Sequence, residues 1–242
     1  TGYVMAAAPF AVFGAIAYTV SLQGLGVIVD YSRLVGSFFL ALFILWAVLI
    51  AAGFLVLGPR VFKLIWDVRA PGLIAFATAS SEAAYPRLLE QLERHGIANR
   101  VVSFVLPLGY SFNLDGSMMY CTFAVMFIAQ AMGIHLDIGQ QLGMLLLLMV
   151  TSKGIAGVPR ASLVVISATL PAMGMKPEWI ALVLAVDAFM DMGRTATNVI
   201  GNSIASAVIA KWEGLLSDPT KDTPAVESVL GPEESEGRAA NT

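Results

Sequence analysis

The sequence predicts an all-α membrane protein made of transmembrane helices, two re-entrant helical hairpins and broken helices. Three observations predict it. Only 13% of the 242 residues are charged, about half the roughly 25% of soluble domains. Hydrophobic residues make up 57% of the chain. Apolar stretches long enough to cross a bilayer alternate with apolar stretches that are interrupted by polar residues at their middle. This composition excludes a disordered chain. A net charge of −3 leaves no basic footprint for nucleic acid. Cys121 stands alone, so there is no disulfide framework. His95 and His135 lack the nearby ligands of a metal site.

The elements follow in order. Residues 1–29 carry no charge, and neither do residues 34–59, between Arg33 and Arg60. Each stretch exceeds the roughly 20 residues that cross a bilayer, so each predicts a transmembrane helix. Pro9 and Gly53 are tolerable there. Residues 70–89 are apolar but broken at Ser80-Ser81-Glu82, and each arm of about ten residues is too short to cross alone. A helix–turn–helix that enters and leaves on one side fits better. Residues 98–134 are broken from Gly109 to Ser117. Residues 138–175 form a second interrupted pair, broken from Ser152 to Arg160. Residues 178–212 form a last helix. Residues 213–242 hold seven acids and two bases, and read as a disordered acidic tail. The chain begins at Thr1 with no signal peptide, which reads as a fragment.

With both interrupted pairs re-entrant, one side receives Arg60, Lys63, Arg69, Arg87, Arg94, Arg100 and Lys211. The other receives Arg33 and Lys176. The bias makes the first side, and the C-terminus, cytoplasmic. A re-entrant pair followed by a helix with buried polar groups occurs twice, once from each side. Inverted repeats with broken helices are transporter architecture.

The polar residues are few and grouped. Asp187, Asp191, Arg194, Asn198 and Asn202 follow one another at spacings of 4, 3, 4 and 4, one stripe of a helix with Thr195 at its margin. Polar groups in a bilayer are costly, so this stripe must face a bundle or cavity. A structural Asp191–Arg194 ion pair would explain two of the five. Asn113-Leu114-Asp115-Gly116 lies between Gly109 and Gly116, which permit unwound backbone, and offers oxygens to a hard cation. The alternative is an Asp-Gly turn. The tips at Ser80-Ser81 and Gly157-Val158-Pro159 can present backbone N–H groups to an anion, or be turns only. Together these suggest an anion site with Arg194 as counter-charge beside a cation site, since Arg pairs carboxylates bidentately.

Ser80-Ser81-Glu82, Gly109 to Gly116 (GYSFNLDG), Ala156 to Pro159 (AGVP) and Asp187 to Asn202 (DAFMDMGRTATNVIGN) carry a resemblance. Residues 1 to about 212 resemble the C-terminal portion of the dicarboxylate/amino acid:cation symporters, which include glutamate and aspartate transporters. The resemblance implies a partial glutamate-transporter-like fold that moves as an elevator, with the second hairpin as external gate. The full-length protein would be a homotrimer in a bacterial inner membrane, in contact with lipid. It would divide this chain into two transmembrane helices (1–58), a transport core (59–212) and a cytoplasmic tail (213–242). It implies that Arg194 binds the substrate side-chain carboxylate and Asp191 an α-amino group. Thr195, Asn198, Ser117, Ser80, Ser81, Gly157 and Val158 would complete the pocket. Gly109, Ser111, Asn113, Asp115, Asn198 and Asn202 would serve transported Na⁺. No resident cofactor is implied, and the protein would not be an enzyme.

Departures from the family pattern bear on coupling. Position 202 is Asn where sodium-coupled members carry Asp. Ala79 and Met192 occupy positions of which one is often Arg, and Cys121 replaces the Glu of mammalian glutamate transporters. Protons therefore become an alternative or additional coupling ion, with Glu82 as a candidate carrier because burial raises a carboxyl pKa. A hairpin cap is the alternative role for Glu82. The residues alone give no account of Arg160. Asp191 favours an acidic amino acid over a C4-dicarboxylate, because an unpaired carboxylate would repel a dicarboxylate. An intramembrane aspartyl protease fits poorly, since Arg194 would hold Asp191 ionised where a dyad must share a proton. A passive anion channel could use the same Arg.

Overall fold

The computed structural model describes residues 26–112, 114–154 and 159–217, with Ala17 and Ser21. The first expected transmembrane helix lies almost wholly outside the described residues, as do Asn113, Gly157, Val158 and the chain beyond 217. Among the described residues all regular elements are helical.

The helix α1 (Gly26–Leu57) is 32 residues long. It starts earlier than the charge pattern suggests. Asp30 and Arg33 were expected to separate two helices, but both lie exposed within α1. Their i,i+3 spacing lets them share one side without interrupting the backbone. Gly58, at φ +64, stops the helix, and Pro59 follows. Leu40, Phe43, Ile44, Val48 and Leu55 line exposed faces of α1. Ile28–Leu57 and the interrupted stretch Asn99–Ala131 are long and apolar enough to cross a membrane.

A short amphipathic helix, α2 (Arg60–Asp67), buries Val61 and Leu64. The first interrupted pair is α3 (Arg69–Thr78) and α4 (Ser81–Arg94). Ala79 turns the chain in the left-handed region, φ 49. Ser80 then caps α4, its hydroxyl accepting from the Ala83 N–H at 3.3 Å. The second arm is longer than expected, 14 residues with Pro86 inside.

The broken span is α5 (Asn99–Phe112) and α6 (Asp115–Ala131). Its break is far shorter than Gly109 to Ser117. Gly109 and Ser111 lie in α5, and Asp115, Gly116 and Ser117 in the first turn of α6. The two glycines serve close helix approach instead of unwinding, as the site shows. The second pair is α7 (Ile138–Thr151), opened by an Asp137/Gln140 capping box, and α8 (Ala161–Ala172). A single 3-10 turn, Ser152–Gly154, follows α7.

The last helix also begins later than expected. Pro177–Ile180 is a 3-10 turn and α9 (Ala181–Leu184) one helical turn. The long helix α10 (Asp187–Trp212) starts after them. Asp187 therefore stands in a first turn, where the helix dipole favours an acid. The helix packs against α1, α3, α4, α5 and α6.

Two apolar clusters hold the fold. One joins the first half of α1 to α6, α7, α8 and the chain up to Met190. The other joins α2 to α5 with α10 from Val199 onward. The polar stretch of α10, residues 191–198, lies in sequence between the two.

At the basic end the chain closes on itself. Residues 213–217 were expected within a disordered tail. Instead, Ser217 donates from its N–H to the Gly96 carbonyl at 2.9 Å, and the Ala98 N–H donates to the Leu215 carbonyl at 3.2 Å. Gly96 sits at φ +100, and a Cβ there would meet the Ser217 carbonyl oxygen at 2.4 Å. Nearby, the buried His95 ring lies 2.7 Å from Asp67 through Nδ1. Burial favours the neutral imidazole more than the Asp67 carboxylate favours the imidazolium, so His95 titrates below its ordinary 6.5.

Candidate functional site

The site is built on α10 against the first turn of α6. Asp191 and Arg194 are one helical turn apart, each 1% exposed, and form an ion pair through Oδ1 and Nε. A buried charge persists only when paired and hydrogen-bonded. Arg194 also donates from Nη1 to the Ser117 hydroxyl at 3.1 Å. Asn198 donates to the same hydroxyl at 3.0 Å. The Asn198 amide oxygen accepts from the Gly116 N–H at 2.9 Å and the Ser117 N–H at 3.4 Å. A helix start leaves N–H groups without intrahelical partners, and Asn198 supplies the acceptor from across the interface.

Two glycines make this approach possible. A Cβ on Gly116 would lie 2.2 Å from the Arg194 carbonyl oxygen. A Cβ on Gly109 would lie 2.3 Å from the Asn202 amide oxygen. Hydrogen at these positions lets α5 and α6 seat directly on α10.

Asp191 is fully engaged. Its second oxygen accepts from the Arg160 N–H at 2.8 Å. Arg160 precedes α8 at φ 64, and its side chain reaches Asp187, Nε to Oδ2, at 3.2 Å. Asp187 is 0% exposed and accepts from the Tyr120 hydroxyl at 2.5 Å. Sequence reasoning did not find Tyr120. Its signal is its place three residues after Ser117 on one face of α6.

The structure thus brings Ser117, Asp191, Arg194 and Asn198 into one network. Thr195 is buried beside them but returns its hydroxyl to the Asp191 carbonyl at 2.7 Å. Asn202 meets Gly109 one turn further along. Ser80 and Ser81 are buried at the turn between α3 and α4, and both helices pack on α10. The Ser81 hydroxyl is buried without a hydrogen-bond partner among the described residues, at the N-terminus of a 14-residue helix. That is chemistry suited to an anion.

Other candidates stand apart. Ser111 is exposed and donates to the Pro107 carbonyl at 3.2 Å. Asp115 is half-buried at the start of α6, whereas Glu82, expected to be buried, is exposed in the first turn of α4, so burial does not support it as a proton carrier. Lys153 donates to the Phe112 carbonyl at 3.0 Å, placing a positive charge at the end of α5 beside the break.

The sodium:dicarboxylate symporter family model matches residues 1–212. The chain belongs to that family. It is 43% identical over 220 residues to a proton/sodium-glutamate symport protein of Bacillus subtilis, covering 91% of this chain and 51% of the relative. It is 45% identical over 214 residues to a C4-dicarboxylate transport protein of Stenotrophomonas maltophilia, covering 88% and 48%. The symporter family match and both relatives describe transporters, with no enzyme among them. The chain spans about half the length of these relatives.

Proposed function

We propose that the full-length protein is a cation-coupled symporter that takes up an acidic amino acid, aspartate or glutamate, by an elevator motion. The observation that carries this reading is the buried Asp191–Arg194 pair held by Ser117. Arg194 offers a guanidinium to a carboxylate. Asp191 offers a carboxylate to an ammonium once its contact with the Arg160 N–H is exchanged. A C4-dicarboxylate has no ammonium, and Asp191 would oppose it.

The remaining assignments belong to the same proposal. Ser80, Ser81, Gly157, Val158, Thr195 and Asn198 complete the substrate pocket. Gly109, Ser111, Asn113, Asp115, Asn198 and Asn202 serve Na⁺, and Glu82 carries a proton where protons couple. Residues 1–58 form two transmembrane helices, 59–212 two re-entrant hairpins with the transport core, and the C-terminus is cytoplasmic. The protein is a homotrimer in a bacterial inner membrane. The similarity to a relative named for C4-dicarboxylate transport favours succinate or a related diacid as the second reading.

The test is uptake by the full-length protein in vesicles with an inward Na⁺ or H⁺ gradient. Labelled aspartate accumulates against its gradient, unlabelled glutamate competes, and succinate competes poorly. Concentrative succinate uptake that aspartate fails to inhibit overturns the reading. Transport that follows Na⁺ and ignores H⁺ removes Glu82 from it.

A further inference from the structure

Arg160 occupies a position that its backbone disfavours. At φ 64 a glycine would fit without strain, yet the residue there is the bulkiest base available. A residue kept in the left-handed region points to a use for its side chain. That side chain is 40% exposed, and its Nε lies 3.2 Å from Oδ2 of the fully buried Asp187. This oxygen has no hydrogen bond among the described residues, so Arg160 is its charge partner by proximity. The other Asp187 oxygen is held by the Tyr120 hydroxyl.

The same residue makes a second contact. The Arg160 N–H donates to Asp191 Oδ2 at 2.8 Å, while Asp191 Oδ1 is held by Arg194. One residue thus touches both buried aspartates of α10, its side chain on one and its backbone on the other. A continuous path results, from Ser117 through Arg194 and Asp191 to Arg160, Asp187 and Tyr120. It begins and ends on one face of α6. Two acids and two bases meet along it, so the cluster is neutral only with Arg160 present.

We propose that Arg160 is a positioning residue for substrate recognition, with its guanidinium anchored on Asp187 so that its N–H orients the Asp191 carboxylate. The anchor fixes the backbone turn before α8, and the N–H of that turn fixes Oδ2 of Asp191. A substrate ammonium exchanges with the N–H at this oxygen and meets a carboxylate already aimed. Preorganisation of this kind lowers the cost of binding. The inference rests on the proposed role of Asp191.

The test measures competition of labelled aspartate uptake by unlabelled aspartate and by succinate in the full-length protein. The variants are Arg160→Gln, Asp187→Asn and the double variant, each checked for membrane insertion and assembly. Arg160→Gln and Asp187→Asn each weaken aspartate about tenfold and change succinate inhibition less than threefold. The double variant is no weaker than the worse single one, because each change breaks the same anchor. Arg160→Lys recovers part of the loss, and Arg160→Gly does not, although glycine suits the backbone. Four results overturn the proposal: unchanged aspartate affinity in Arg160→Gln, equal losses for aspartate and succinate, additive losses in the double variant, or full activity in Arg160→Gly. If Asp191→Ala abolishes the preference for aspartate while Arg160→Gln keeps it, the proposed substrate stands and the anchor fails. If Asp191→Ala keeps it as well, the substrate reading fails first.

Discussion

The two interrupted helix pairs reach the same helix by different means. The first, α3 and α4, packs directly on α10 and is turned by Ala79 and the Ser80 cap. Its tip carries neutral hydroxyls that are almost fully buried. The second, α7 and α8, packs chiefly on α6 and exposes Leu142, Leu146, Met149 and Val150. It reaches the polar face of α10 through charge, by way of Arg160. The first pair is held by helix packing and by the Ser80 cap, with no charged group in its contacts to α10 among those described. The second is tied to Asp187 and to Asp191, the carboxylate proposed to meet a charged substrate. In the proposed reading, the pair tied by charge is the one that a bound substrate would disturb first.

Substitutions can break this contrast at its strongest point first. Arg194→Gln leaves Asp191 buried with the Arg160 N–H as its one remaining hydrogen-bond donor among the described residues. Breaking a buried pair from one side costs about 3–5 kcal/mol, so the variant loses both thermal stability and measurable uptake. Unfolding in detergent and uptake in vesicles check the two losses. Next comes Gly116→Ala. Its methyl would sit 2.2 Å from the Arg194 carbonyl oxygen, and overpacking of this kind costs about 3 kcal/mol. The α6–α10 seam then opens, and a melting curve shows the loss while Gly143→Ala, in open space on α7, melts as the parent does.

Smaller effects lie at the basic end. Gly96→Ala places a methyl 2.4 Å from the Ser217 carbonyl oxygen at a φ of +100, and costs about 1–3 kcal/mol. Protease access to the chain after Trp212 reports the released segment. The smallest effect is that of His95. Its native pKa is lowered, so the unfolded chain takes up a proton first as pH falls through 6.5. Stability at this end is full above 6.5 and declines below it. Melting temperatures from pH 7.5 to 5.5 show the decline, and His95→Asn flattens it.

Much of the architecture was legible because bilayer chemistry makes polar residues conspicuous. The stripe from Asp187 to Asn202 stood out against apolar sequence, and it is buried throughout. The interruption at Ser80-Ser81 also read correctly as a break between helices, and α7 ends at Thr151, just before the second interruption. Element edges were less legible. Asp30 and Arg33 looked like a boundary, yet an exposed i,i+3 pair does not stop a helix. Gly109 and Gly116 looked like unwinding, yet glycine also serves where backbones touch, and sequence cannot tell the two uses apart. Arg160 was opaque for a related reason. Its partner Asp187 is 27 positions away, and its left-handed backbone leaves no trace in composition. Tyr120 was hidden among apolar neighbours, where an aromatic reads as core.

In the proposed reading, the Asp191 carboxylate selects an ammonium-bearing acidic substrate beside Arg194. Competition by succinate against labelled aspartate uptake, in the parent protein and in Asp191→Ala, tests it most directly. A large preference for aspartate is expected in the parent and collapses in Asp191→Ala, chiefly through weaker aspartate binding with little change for succinate. Equal weakening of both substrates, or a preference untouched by the substitution, would contradict it and leave Asp191 as the counter-ion of Arg194 alone.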